Sequence, residues 1–129
     1  MPHLIIEYSA NLEQRLDLNG LMETLHESAI ATGVFPRKGV RTRAVRREHY
    51  LIADHHPDNA FIHLVARIGH GRPLALRIAT GETLFKVLCD ALQGVYDTSP
   101  LAISFEIQEI DPDLNFKKNN LPDWIKKRA

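Results

Sequence analysis

Cysteine is nearly absent from this chain: Cys89 stands alone among 129 residues, which excludes an internal disulfide framework and a zinc site built on several thiolates. Net charge is missing too. Sixteen Lys and Arg balance sixteen Asp and Glu, so no overall field draws the chain toward nucleic acid or anionic membrane, and any electrostatic function must be local. No run approaches the ~20 apolar residues of a membrane helix, and no basic stretch leads into an apolar one at the N-terminus. The expectation is a soluble, cytoplasmic protein with neither membrane nor nucleic acid as partner. Aromatics, at 7%, do not interleave with the basic residues as a base-stacking surface requires. His-Glu-x-x-His, paired-Cys and Gly-x-Ser-x-Gly spacings are also lacking. His55 and His56, with Asp54, Asp58 and nearby His49, therefore read as surface loop residues rather than metal ligands, and no metal is expected.

What the chain does have is the composition of a folded domain, 44% hydrophobic and 25% charged. Residues 3–8 form an apolar run that reads as a strand. From 18 to 32, Leu18, Leu21, Met22, Leu25, Ala29 and Ile30 recur at helical spacing, and Gly33 supplies the stop. Branched residues over 40–53 suggest a long strand or bent hairpin. The same order then repeats: a strand at 60–68, a turn at 69–73, a helix at 74–96 with Leu74, Ile78, Leu84, Leu88 and Leu92 on one stripe, and a strand at 101–110. In that last strand Leu101, Ile103, Phe105 and Ile107 face one way and Ala102, Ser104, Glu106 and Gln108 the other. His63 falls in the apolar strand and is expected to pack there with one hydrogen bond. Residues 111–129 read as a polar, loop-like tail.

These elements predict an α+β fold. Two β-α-β pseudo-repeats, about 2–58 and 59–110, form a four-stranded mixed sheet with two helices on one face, in a single domain spanning 1–129. The other sheet face is left bare, and Tyr8, Val65 and other apolar residues on it call for a partner, so a homo-oligomer is expected.

Three places can carry chemistry. Methionine before a small residue is commonly removed, which leaves Pro2 as a free secondary amine; in a dry, cation-lined pocket that amine is neutral and basic near neutral pH. A processed terminus with no further role is the plainer reading. Arg37-Lys38-Gly39-Val40-Arg41-Thr42-Arg43, continued by Arg46 and Arg47, is the second place. Arg41 and Arg43 share a strand face and can grip carboxylates or stabilise an enolate, or they can be a solvated edge charged against aggregation or a phosphate-contacting patch. In Ile68-Gly69-His70-Gly71-Arg72-Pro73, glycines bend the chain after a strand and present Arg72 ahead of a helix, an arrangement that can bind anions or be a simple turn.

Taken together, these features resemble the 5-carboxymethyl-2-hydroxymuconate isomerase family of the tautomerase superfamily. The likeness runs through Met1-Pro2-His3, Ala31-Thr32-Gly33-Val34-Phe35-Pro36, Gly39-Val40-Arg41-Thr42-Arg43, Ala60-Phe61-Ile62-His63, Ile68-Gly69-His70-Gly71-Arg72, Leu101-Ala102-Ile103-Ser104-Phe105-Glu106 and Leu114-Asn115-Phe116-Lys117-Lys118-Asn119-Asn120. The resemblance implies a cytoplasmic homotrimer that isomerises a di- or tricarboxylate by keto-enol tautomerisation, without a cofactor, in bacterial homoprotocatechuate (hydroxyphenylacetate) degradation. Residue by residue, it makes Pro2 the general base and Arg41 and Arg72 catalytic and substrate-binding, with Arg43 beside them as a further substrate-binding residue. The same scaffold can host other chemistry: a phenylpyruvate-type tautomerase, a hydratase, a decarboxylase or a dehalogenase. A non-enzymatic trimeric anion-binding protein is the reading from another class. Trp124, in the basic tail, has no role in any of them.

Overall fold

The computed structural model describes residues 2–129. In chain order the elements are β1 (His3–Ser9), α1 (Leu18–Ala31), β2 (Arg41–Arg47), β3 (Ala60–Gly69), α2 (Leu74–Thr98), β4 (Leu101–Ile110) and α3 (Leu121–Arg128), with short 3₁₀ turns at Ala10–Leu12, Arg37–Gly39 and Pro112–Leu114. The strands form one mixed sheet in the order β2-β1-β3-β4. β1 runs parallel to β2 and antiparallel to β3, and β3 runs parallel to β4. Each parallel pair is joined through a helix, as a parallel connection requires.

Alternation along the strands sets the layers. Leu4, Ile6 and Tyr8 from β1 and Ala60, Ile62, Leu64, Ala66 and Ile68 from β3 are buried against Leu21, Leu25 and Ala29 of α1 and Leu84, Leu88 and Leu92 of α2. Each of these larger side chains contributes roughly 1.5–3 kcal/mol by leaving water. Asp17 starts α1 by accepting the Gly20 amide at 3.1 Å. Gly33, at φ 75°, follows its end in the left-handed region that glycine enters without penalty.

Four expectations are corrected. Tyr8 does not lie on the bare sheet face; it shares the register face of Leu4 and Ile6 and is buried beneath the helices. That bare face is mostly polar, carrying His3, Glu7, Arg41, Arg43, His63, Arg67, Ser104 and Glu106, with Val65 among a few apolar residues. His63 belongs to it: its Nδ1 lies 2.6 Å from Ser104 Oγ, as a single hydrogen bond but outside the core. The long strand or hairpin over 40–53 stops at Arg47, and the chain beyond it forms a loop in which Ala53 and His55 take positive φ and the Asn59 amide donates to Ile52 O and Asp54 Oδ1. Finally, the polar tail holds a helix. In α3, Pro122 and Asp123 occupy the first turn and Lys126, Lys127 and Arg128 the last, the order that suits both the free backbone amides and the helix dipole.

Candidate active site

Three chain segments meet at one end of the sheet. The register pairs His3 with Arg41 on β2 and with Arg67 on β3, so the start of β1, the start of β2 and the end of β3 adjoin. Pro2 is buried there, and its carbonyl accepts the Arg41 amide at 3.0 Å. β3 then runs out at Gly69 into the turn that delivers Arg72.

That turn is tightly held. Gly71 has φ 113°, open to glycine and strained for other residues, and its amide donates to Glu109 Oε2 at 3.2 Å. The turn amide expected to bind an anion thus already has an acceptor. Glu109 also pairs with Arg77 Nη1 at 3.2 Å, and Arg77 Nε donates to the Arg72 carbonyl at 3.1 Å. The Arg72 guanidinium donates to Gly69 O and Val34 O and lies 5.1 Å from the centroid of the buried Phe35 ring. Of five guanidinium N–H donors, two are used, and three stay available on a group fixed in place. Glu109 and Arg77, which position Arg72, are invisible to a reading of local motifs, because Glu109 reaches the turn from β4, 38 positions away.

Arg41 is half-buried and donates through Nη1 to Gly39 O at 2.9 Å. Arg43, two residues on, is exposed, and its Nη1 lies 3.0 Å from His3 Nδ1. Elsewhere the arginines find carboxylates: Arg37 with Glu27, Arg46 with Glu13, Arg47 with Glu7 and Arg77 with Glu109. Among the described residues, Arg41, Arg43, Arg67 and Arg72 have no carboxylate partner and sit at the Pro2 end of the sheet, whereas Arg15 and Arg128, which also lack one, donate to the backbone carbonyls of Asp58 and Trp124. Arg67 is absent from any motif; only the antiparallel β1–β3 register reveals it. His3 stands among these cations. Burial lowers its pKa from the ordinary 6.5, and Arg43 and Arg41 push it down further.

The loop histidines are used locally, His56 Nδ1 accepting the Asp58 amide at 3.1 Å, and no group of three or more His, Cys, Asp or Glu suited to a metal occurs among the described residues. No helix among them is long and apolar enough to cross a membrane. A groove of about 580 Å³ runs between α2 and β4 from beside the Arg72 turn, lined by Leu74, Arg77, Ile78, Phe85, Phe105 and Ile107 among others. The unpartnered apolar surface predicted for the bare sheet face is therefore here, beside the open β4 edge.

A four-stranded mixed sheet with α1 and α2 on one side is the fold of a class of solved structures that includes fused 4-OT. A symmetric trimer of fused 4-OT superposes with a TM-score of 0.61 at 14% identity, over 92% of this chain and 92% of that one. The sequence narrows this class. The 5-carboxymethyl-2-hydroxymuconate isomerase family matches residues 2–125. The 5-carboxymethyl-2-hydroxymuconate Delta-isomerase of Escherichia coli is 40% identical over 121 residues, 94% of this chain and 96% of the relative. The crystal structure of a 5-carboxymethyl-2-hydroxymuconate isomerase from Deinococcus radiodurans R1 superposes with a TM-score of 0.89 at 36% identity, over 96% of this chain and 93% of that one. The chain belongs to the 5-carboxymethyl-2-hydroxymuconate isomerase family and is an isomerase.

Proposed function

We propose that this isomerase converts 5-carboxymethyl-2-hydroxymuconate to its 2-oxo isomer without a cofactor, with the amine of Pro2 as the base once Met1 is removed. The observation that carries the reading is that Arg41, whose amide binds the Pro2 carbonyl, and Arg72, in the turn after β3 at the same end of the sheet, both lack a carboxylate partner among the described residues where Pro2 is buried. A substrate with several carboxylates supplies what those guanidiniums lack, and arginine keeps its charge while binding it.

The chemistry follows from the groups present. The neutral amine takes the proton of the 2-hydroxyl; the electron pair moves through the conjugated chain, and the resulting pyrrolidinium returns the proton to a distal carbon. Negative charge that builds on the dienolate oxygen is stabilised by a guanidinium already in place, which needs no reorganisation during the step. Arg41 and Arg72 hold the carboxylates so that one nitrogen reaches both proton positions. Arg43, held by His3 on the helix-free face, is a more remote carboxylate contact.

The whole chain acts as one domain in this reading, its β-α-β halves 2–58 and 59–110 being repeats of each other. It works as a homotrimer, an assembly supported by the apolar α2–β4 groove and by the symmetric trimer that fused 4-OT, which shares the fold, forms. A cytoplasmic role in homoprotocatechuate degradation follows from the substrate.

The test is turnover of 5-carboxymethyl-2-hydroxymuconate followed by ultraviolet absorbance, with intact mass on the same sample and Pro2→Ala beside it. Turnover by processed protein that the variant loses supports the assignment; an inert processed wild type overturns it.

A further inference from the structure

We infer that the segment between β4 and α3 is an arm that reaches a second copy of this chain and seats Leu114 and Phe116 in that copy's α2–β4 groove. The inference rests on the homotrimer reading above and names the contact that builds it. Phe116 is 88% exposed and Leu114 72%, on a stretch that the isomerase chemistry does not use. Asn115 between them is extended, so the two side chains stand on one side of the arm. The backbone of residues 115–118 makes no hydrogen bond among the described residues. Large apolar side chains left bare together on an unpaired backbone mark a contact surface. The arm's own groove is not the partner. Its two ends are fixed, one to β4 at Ile110 and the other, through α3, to the Arg37–Gly39 turn that leads into β2. Since β2 and β4 are opposite edges of the sheet, the arm runs away from the α2–β4 side of its own protomer.

The groove of another copy supplies what the arm lacks. Leu74, Ile78 and Phe85 line it and are themselves exposed, and Glu82 and Glu106 stand among them. Lys117 and Lys118, directly after Phe116, have no carboxylate partner among the described residues, and Glu82 has no cation. Arm and groove therefore match in both respects that decide an interface: an aromatic anchor meets an apolar channel, and lysines meet carboxylates at its rim. A second copy fits better than a foreign protein because every chain carries both halves. An arm-to-groove contact joins two different surfaces, so it repeats head to tail and closes into a ring, the symmetry of a cyclic trimer. The seated arm also lies beside Arg77, which lines the groove and, with Glu109, holds Arg72. Each copy thus braces the arginine turn of its neighbour.

Two measurements on the full chain test the contact. Sedimentation equilibrium compares wild type with Phe116→Ser, whose circular dichroism is expected to match wild type because Phe116 is bare in the protomer. The expected result is a wild-type trimer whose dissociation constant rises at least ~10-fold in the variant, as for loss of an aromatic anchor. Separately, Phe116→Cys and Ile78→Cys are combined with Cys89→Ser, which removes the native thiol, and the protein is mildly oxidised. A disulfide joining position 116 of one chain to position 78 of another is expected, identified by non-reducing electrophoresis and peptide mass. A monomeric wild type overturns this proposal together with the homotrimer reading. A trimer that Phe116→Ser leaves equally tight, or cysteines that stay unlinked or link only within one chain, overturns the arm contact alone and leaves the homotrimer standing. Neither measurement involves turnover, so the isomerase assignment is tested apart from both.

Discussion

The Arg41 amide donates to the Pro2 carbonyl at 3.0 Å, so the proposed base and the arginine beside it are joined through main chain rather than through side chains. Any side chain at position 2 keeps this bond, since only the carbonyl takes part. A change of Pro2 can therefore remove the secondary amine and leave the position of Arg41 intact.

Pro2→Ala is accordingly expected to lower turnover by at least ~100-fold, the lower range for loss of a positioned base, with a thermal midpoint close to wild type. Protein that retains Met1 should be as inactive, because its proline nitrogen is an amide. Equal activity of retained and processed forms, sorted by intact mass, rules out the proline mechanism.

For the free amine itself, a pKa below that of an ordinary N-terminal proline is expected, since burial and the two cations that the proposed mechanism sets around it, Arg41 and Arg72, both disfavour the charged form. Nitrogen NMR of processed protein across pH measures it. An unperturbed titration removes the physical basis for a neutral base near pH 7.

His3 links this region to stability. Its folded pKa lies below 6.5, so as pH falls through 6.5 the unfolded chain takes up the proton first and folding loses stability until the folded pKa is passed. Above 6.5 the contribution is fully present. Thermal midpoints of wild type and His3→Asn from pH 5 to 7.5 should diverge with this sign, the variant losing less on acidification; a wild-type curve that is no steeper contradicts the assignment.

Much of this architecture was legible in the chain. Leu21, Leu25 and Ala29, and Leu84, Leu88 and Leu92, repeat at helical spacing and do form the buried stripes of α1 and α2. The alternation of Leu101 to Gln108 matches the exposure of β4. Other features depended on contacts distant in sequence. Arg67 looks like an isolated charge in an apolar strand until the antiparallel register sets it opposite His3, and Glu109 acquires a role only through a turn 38 residues away. The helix α3 was hidden for a different reason: eight residues, half of them charged, are too few to be helical alone, and the segment lies against the Arg37–Gly39 turn.

Core and cap set the stability scale. Leu88 is fully buried between helix and sheet, so Leu88→Ala should cost ~2–5 kcal/mol through lost burial and the cavity left behind. Asp17→Ala, which removes the acceptor for the Gly20 amide, should cost ~1 kcal/mol. Urea unfolding of both variants measures the two values; a cap effect as large as the core effect contradicts this ranking.

Arg72 separates structural from chemical roles. Its bonds to Gly69 O and Val34 O and its position over Phe35 mean that Arg72→Ala loses packing and two hydrogen bonds, at ~1 kcal/mol of stability for each bond, as well as a carboxylate contact. Activity alone cannot tell these apart, and Arg72→Lys can. Lysine restores the charge but not the planar fork, which holds two carbonyls while presenting further donors. If Arg72 binds substrate by bidentate contact, Arg72→Lys should stay folded, with a midpoint above that of Arg72→Ala, yet keep a KM at least ~10-fold above wild type. Full recovery of KM by lysine reduces the role to that of a point charge. Recovery of neither stability nor KM shows that the tie to Val34 and Gly69, rather than contact with substrate, is what position 72 supplies.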